Sequence, residues 1–212
     1  TGIKISGALF TNITHDHLDY HGTFNEYIKA KKILFDQLGS SAFAIVNLDD
    51  RHAEVMLQNC RARHKTMALQ TMADYKARVI ENGFHGLHLN IDQQEVYTQL
   101  IGGFNAYNLL AVYAAFRELG FEKMDVLTEL SSMQAPAGRF QYIQTPQGIT
   151  AVVDYAHTPD ALLNVLKTIA DIRTGNEQII TLVGCGGDRD KTKRPEMAKI
   201  AAEWSNRVIL TS

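Results

Sequence analysis

At 212 residues and 45% hydrophobic content, the chain is long enough to bury one sizeable core or two smaller ones, and it reads as a soluble globular protein. A formal net charge of -2 with scattered basic residues gives no polybasic stripe, so neither nucleic acid nor an anionic membrane surface is implied as a partner. There is no long apolar run and no signal-peptide pattern at Thr1-Gly2-Ile3-Lys4, and the distant Cys60 and Cys185 fit a reducing, cytoplasmic setting.

In chain order, an apolar strand, Gly7-Ala8-Leu9-Phe10, runs into His15-Asp16-His17-Leu18-Asp19-Tyr20-His21, which brings three imidazoles and two carboxylates together. With Lys31 following in Lys29-Ala30-Lys31-Lys32, the cluster suits a divalent metal and a phosphate. Thr23-Phe24-Asn25-Glu26 has capping-box spacing and predicts a helix from Phe24 to about Leu38 that buries Tyr27, Leu34 and Leu38. A strand from Ala42 to Leu48, a short helix from Arg51 to Cys60 and a strand from Lys65 to Leu69 continue a βαβ rhythm. Three alternating stretches, Tyr75 to Glu81, Gly83 to Ile91 and Glu95 to Leu100, predict an antiparallel meander, with Asn82-Gly83 as a hairpin turn.

An apolar helix from Phe104 to Leu119, stopped by Gly120, and a second from Lys123 to Met133 precede Gln134-Ala135-Pro136-Ala137-Gly138-Arg139, the best linker candidate. Beyond it come strands near Phe140 to Gln144 and Ile149 to Asp154, a helix Pro159 to Ile172, a strand Ile179 to Val183, a glycine-rich turn, a helix Pro195 to Trp204 and a strand Arg207 to Thr211. The alternation predicts α/β layers in two units, divided at 134/135. The chain opens in what reads as mid-domain and stops as a strand finishes, so a fragment of a longer protein is expected.

Four constellations could carry chemistry. The histidine cluster misses the HxHxDH pattern of dinuclear metallo-hydrolases by one residue, because Tyr20 stands where the last histidine belongs. Gly184-Cys185-Gly186-Gly187-Asp188-Arg189-Asp190-Lys191-Thr192 is neither a Walker A loop nor GxGxxG, yet its glycines and cations beside a helix start suit an anion. Asp154 and His157, in Val153-Asp154-Tyr155-Ala156-His157-Thr158-Pro159, lie where a strand ends, although Asp154 could simply cap a turn. Asn105 and Asn108 share a helix face in Gly102-Gly103-Phe104-Asn105-Ala106-Tyr107-Asn108 and could read a purine edge or cap the helix.

Taken together and in this order, the motifs resemble the Mur ligase family, most closely its MurE-type branch. The segments that carry the resemblance are Thr11 to Phe35, Gly102 to Ala111, Ala137 to Gln141, Val152 to Leu162 and Gly184 to Met197, nearly the whole chain. The resemblance implies part of the family's central ATPase domain (residues 1–134, a mixed sheet with helices plus a small antiparallel sheet), then part of a Rossmann-like C-terminal domain (residues 135–212). The implied activity is ATP-dependent addition of a diamino acid, meso-diaminopimelate favoured over L-lysine, to UDP-N-acetylmuramoyl-L-alanyl-D-glutamate through an acyl phosphate. The enzyme so implied is a cytoplasmic monomer using Mg²⁺.

The same resemblance implies that His17 binds magnesium and that Lys31 does so as a carbamate. It implies that Asn105 and Asn108 hold the adenine, that Arg139 reaches the ATP phosphates, and that Asp154, Tyr155 and His157 contact ribose and phosphates. Arg189 is implied to meet a carboxylate of the incoming amino acid. The family's Walker A loop, glutamate metal ligand and uridine-binding domain are expected before Thr1 and its amino-acid selector after Ser212, so this chain alone is expected to be inactive. Two other readings remain open. A metallo-hydrolase would use His15, His17 and Asp19 and be indifferent to Lys31; a non-catalytic nucleotide-binding module would lose nothing on changing either His17 or Lys31.

Overall fold

The computed structural model describes residues 2–14, 23–185 and 193–211. Its first unit is built on one mixed six-stranded sheet, with β1 (Gly7–Phe10), β2 (Phe43–Asn47), β3 (Arg63–Ala68), β4 (Tyr75–Gly83), β5 (Gly86–Ile91) and β6 (Gln94–Thr98) lying side by side in that order. β1 to β4 pair in parallel, whereas β4 to β6 form the antiparallel meander, so the two patterns meet on β4. β2 is buried at every position, as its unbroken apolar run requires of a strand covered on both faces.

Helix α1 (Phe24–Asp36) opens where the capping spacing placed it: the Thr23 hydroxyl accepts from the Glu26 N–H at 3.2 Å. The Glu26 carboxylate does not complete the box in the usual way, since it accepts from Lys29 at 2.7 Å. The face turned to the core is Ile28 and Phe35, with Leu38 just beyond; Leu34, expected inside, is 41% exposed. Helix α2 (Ala53–Leu57) is short and buries Ala53 and Met56.

The meander departs from expectation at its first turn. A bulge between Val79 and Glu81 shifts the register, so Asn82 and Gly83 lie inside β4, and Phe84-His85 closes the hairpin. Gly86 has φ +117°, and a Cβ there would stand 1.9 Å from the Thr98 carbonyl oxygen, so no other residue fits. Asn82 instead takes the Gly102 N–H at 3.1 Å. The second turn is Asp92-Gln93, with both residues at positive φ in the manner of a tight hairpin turn.

Helix α3 (Gly103–Glu118) crosses this sheet and supplies Ala106, Leu109, Leu110, Tyr113 and Ala114 to the main core, with Val126, Leu127 and Leu130 of α4 (Lys123–Ser132) beside them. Leu119 closes α3 and Gly120 follows at φ +91°, the left-handed stop its position announced. A second core lies on the other side of the parallel strands, from Phe10, Ile28, Phe35, Val46 and Met56 among others.

The second unit has a separate two-stranded antiparallel sheet, β7 (Gln141–Gln144) with β8 (Thr150–Val153), and a parallel pair, β9 (Ile180–Gly184) with β10 (Arg207–Thr211). Helix α5 (Pro159–Ile172) begins at Thr158, whose hydroxyl accepts from the Ala161 N–H, with Pro159 in its first turn. With α6 (Lys193–Trp204) it covers one face of β9: Leu162, Leu166, Val183, Met197 and Ala201 form that core. On the opposite face Ile180 and Leu182 are exposed, as is Ile209, the partner of Leu182 in β10.

Candidate functional site

The carboxyl ends of β1, β2 and β3 are tied together by one turn, Asn47 to His52. Asn47, itself buried, donates its amide to the Thr11 carbonyl at 2.8 Å and accepts from the Asp49 N–H. Asp50 accepts from the Ile13 N–H at 3.0 Å and from the His52 N–H at 2.8 Å. Asp49 reaches the other way and accepts from the N–H groups of Leu69, Gln70 and Thr71 and from the Thr71 hydroxyl. The Tyr107 hydroxyl on α3 also donates to Asp49, at 2.9 Å. Burial alone would raise the Asp49 carboxyl, but the donors from Gln70, Thr71 and Leu69 outweigh it and hold the group at about 2. Burial, then the bond to this anion, pushes the Tyr107 phenol up to about 12.

Tyr107 lies between the two asparagines of the same helix. The Asn105 amide donates to the Ile101 carbonyl at 2.8 Å, and its own carbonyl accepts from the Asn108 amide at 3.0 Å. Neither asparagine caps the helix: the N-cap is Gly102, which carries no side-chain cap, and both amides donate rather than accept a helix N–H. Each amide nitrogen still carries a second hydrogen, and Asn108 is exposed, so its carbonyl and one N–H can meet a ligand edge. Gly102 at φ +98° makes this start possible; a Cβ there would lie 2.7 Å from the Phe104 ring and 3.0 Å from Thr168 of α5.

Phe104 leads across to the second unit. Its ring meets that of Phe140 edge-on at 5.8 Å, and Phe140 is buried. Phe140 holds φ +45°, uncommon for a bulky residue, while its N–H donates to the Asp154 carboxylate at 2.7 Å. Asp154 therefore does structural work, fixing the residue after Arg139. The exposed Arg139 guanidinium stacks 4.9 Å from the Tyr155 ring centroid. His157 sits 5.2 Å from the same ring, and its Nδ1 bonds the Tyr155 carbonyl at 3.0 Å. A carbonyl only accepts, so Nδ1 carries the proton.

Of the residues expected from the sequence, Asn105, Asn108, Arg139, Asp154, Tyr155 and His157 are thus gathered along one seam. Lys31 is exposed on α1, with its ammonium 5.4 Å from the Tyr27 ring centroid. His17, with His15 and Asp19, and Arg189 lie outside the described residues. Among the described residues no group of three or more His, Cys, Asp or Glu could hold a metal. An unmodified Lys31 would repel a dication, whereas its exposed amine is open to conversion into an anionic oxygen ligand.

Sequence reasoning passed over Asp49, Asp50, His52 and Tyr107. The signal was present: two acids just after a mostly apolar strand, at the edge where open α/β sheets place polar groups that meet ligands. Phe140 gave no signal, because a positive φ at phenylalanine follows from its tertiary partners.

Fold and site together define an α/β protein of two units, with its polar groups gathered beyond strand ends and at one helix start. Residues 1–116 match the Mur ligase middle domain, and residues 138–212 match the Mur ligase glutamate ligase domain. The chain belongs to the Mur ligase family. It is 53% identical over 211 residues to a UDP-N-acetylmuramoyl-L-alanyl-D-glutamate--2,6-diaminopimelate ligase of Cytophaga hutchinsonii, covering 100% of this chain and 43% of that relative. It is 52% identical to the ligase of the same name from Bacteroides thetaiotaomicron, covering 44% of it. The chain thus spans less than half the length of the curated relatives it matches. A solved 2,6-diaminopimelate ligase structure superposes with a TM-score of 0.71 at 37% identity, across 100% of this chain and 44% of that one. MurF from Acinetobacter baumannii superposes at 0.79 with 18% identity and shows the fold alone.

Proposed function

We propose that this chain is the ATP- and amino-acid-facing portion of a ligase that joins diaminopimelate to UDP-N-acetylmuramoyl-L-alanyl-D-glutamate. The observation that carries the reading is the seam itself, from Asn105 and Asn108 through Phe104 and Phe140 to Arg139 and Tyr155, because it joins both units at groups suited to a nucleotide. The names of relatives more than half identical along the whole chain support the same reading and favour diaminopimelate over L-lysine.

In this reading the units divide at 134/135, between the end of α4 and the start of β7. Asn105 and Asn108 hold the adenine edge, Arg139 draws negative charge off the ATP phosphates, and Tyr155 and His157 line the ribose and phosphate path. Asp154 keeps the Arg139 segment in register through the Phe140 N–H. The dipeptide carboxylate attacks the γ-phosphoryl group of ATP to give an acyl phosphate and ADP, and the amine of the amino acid then displaces phosphate to form the amide. Arg189 holds a carboxylate of that amino acid. His17 and a Lys31 carbamate would hold Mg²⁺, which would supply neutralisation of charge on the transferred group.

The test is ATP-dependent incorporation of labelled meso-diaminopimelate, with L-lysine in parallel, by the full-length protein that contains this chain. Product with diaminopimelate is expected; product with L-lysine alone would overturn the amino acid, and no product with either would overturn the ligase. Lys31→Ala in the same protein is expected to abolish turnover, with partial rescue by short-chain carboxylates; a variant that keeps full activity would remove the carbamate from the mechanism.

A further inference from the structure

Helix α3 begins without a side-chain cap, because Gly102 stands at its N-cap, and among residues 103–107 only Ala106 is buried. Two hydrogen bonds from distant segments reach this start. Asn82 accepts the Gly102 N–H at 3.1 Å, and Asp49 accepts the Tyr107 hydroxyl at 2.9 Å. The second bond ends on a fixed point. Asp49 Oδ2, which takes Tyr107, also accepts the Leu69 N–H at 2.7 Å and the Gln70 N–H at 3.0 Å. Oδ1 accepts the Thr71 N–H at 3.0 Å and the Thr71 hydroxyl at 2.8 Å. A carboxylate held by four other donors cannot follow a drifting helix. The sense of the bond is fixed as well, since at neutral pH Asp49 is ionised and Tyr107 keeps its proton. With 3.6 residues per turn, Tyr107 stands about 100° round the helix from Asn108 and about 160° from Asn105. The bond therefore acts on the flank of α3 and opposes rotation of the asparagine face about the helix axis. Side-chain tips lie about 5–6 Å from that axis, so a rotation of about 10° carries the amides about 1 Å. Hydrogen bonds hold only between about 2.7 and 3.2 Å, so a shift of that size breaks them.

We propose that Tyr107 and Asp49 are positioning residues for base recognition, setting the rotation of α3 at which Asn105 and Asn108 meet an adenine edge and so favouring adenine over 6-oxopurine nucleotides. The inference rests on the proposed adenine role of the two asparagines; neither Tyr107 nor Asp49 touches the base. The selectivity follows from the groups left open. The Asn108 carbonyl and one of its N–H bonds are a matched acceptor and donor for the amine and N7 of adenine. A 6-oxopurine puts an acceptor where adenine carries its amine, so only adenine gains from the alignment.

The experiment compares the full-length protein with its Tyr107→Phe, Asp49→Asn and double variants. Binding of ADP and of inosine diphosphate is measured by equilibrium titration, and kcat and KM for ATP by turnover. Tyr107→Phe keeps the ring and removes only the hydroxyl. It is expected to weaken ADP about tenfold and inosine diphosphate less than about twofold, the size of one hydrogen bond to a charged group. KM for ATP should rise in step, with kcat lowered less than about threefold. The double variant should bind ADP no more weakly than Asp49→Asn alone, as expected of two residues that act through one bond. Tyr75→Phe is the control, because it removes the hydroxyl that donates to Glu118 at 2.6 Å at the other end of the same helix. It should lower Tm and leave the ratio of ADP to inosine diphosphate affinity unchanged.

A preference for ADP within twofold of wild type in Tyr107→Phe would overturn the proposal. Equal weakening of both nucleotides, or the same loss of preference in Tyr75→Phe, would do the same, since either marks general loosening of the helix. Asn108→Ala separates the proposal from the reading beneath it. Unchanged ADP binding in that variant would remove the adenine role and the proposal with it, whereas a preference lost in Asn108→Ala and kept in Tyr107→Phe would remove the positioning role alone. Failure of the wild-type protein to ligate diaminopimelate would overturn the reaction instead, and the two titrations would still decide the base.

Discussion

Asp49 and Asp50 are neighbours with opposite tasks. Asp49 faces β3 and α3, Asp50 faces the exit of β1, and a single carboxylate could not serve both directions. Because Asp49 is held at about 2, below its unfolded value near 4, it favours the folded state above about pH 4, and that contribution fades as pH falls toward 2. Urea unfolding of wild type and Asp49→Asn from pH 5 downward should show the gap between them shrinking across that window; a gap independent of pH would mean that the carboxylate is not charged where its donors converge. Pairs of amides and the run Asp154-Tyr155-Ala156-His157 could be read from the sequence as polar groups beyond apolar elements. Their partners could not, since the Phe140 N–H and the Tyr107 hydroxyl come from distant segments.

Elements were largely legible because their signals are local. Pro159 to Ile172 and Arg207 to Thr211 form the helix and strand their patterns announced, with Thr158 as cap. Thr158→Ala should cost about 1 kcal/mol, read as a fall in the denaturation midpoint with an unchanged slope. The Asn82-Gly83 pair shows where local signals end. The bulge at Ile80 takes it out of the turn, and Asn82 goes to anchor the N-cap of α3. The buried face of α1 was likewise displaced to Ile28 and Phe35, because a helix face is chosen by the sheet beneath it. Helix α3 buries more residues than any other helix among the described residues, and Leu110 within it has no exposed surface. Leu110→Ala should therefore destabilise by about 2–5 kcal/mol. Equilibrium unfolding measures it, and a loss below about 1 kcal/mol would mean that the core collapses around the gap.

At the scale of the molecule, the order of strands and helices could be read from sequence, and the seam between units could not. The linker composition announced a boundary near Pro136, but the contact that closes it depends on one phenylalanine in a left-handed backbone and another at the start of α3. β9 reads as a strand meant for cover on both faces, since Ile180, Leu182 and Val183 leave few polar positions. Only the Thr181 and Val183 side is covered. The bare side carries Ile180, Leu182 and Ile209 together, next to a pair of strands with open edges. Handled as 212 residues alone, the chain should behave as a colloid with one sticky face: its apparent mass in sedimentation should climb with concentration, and Leu182→Lys should flatten that climb. Its shelf life in a tube is then expected to depend on that face.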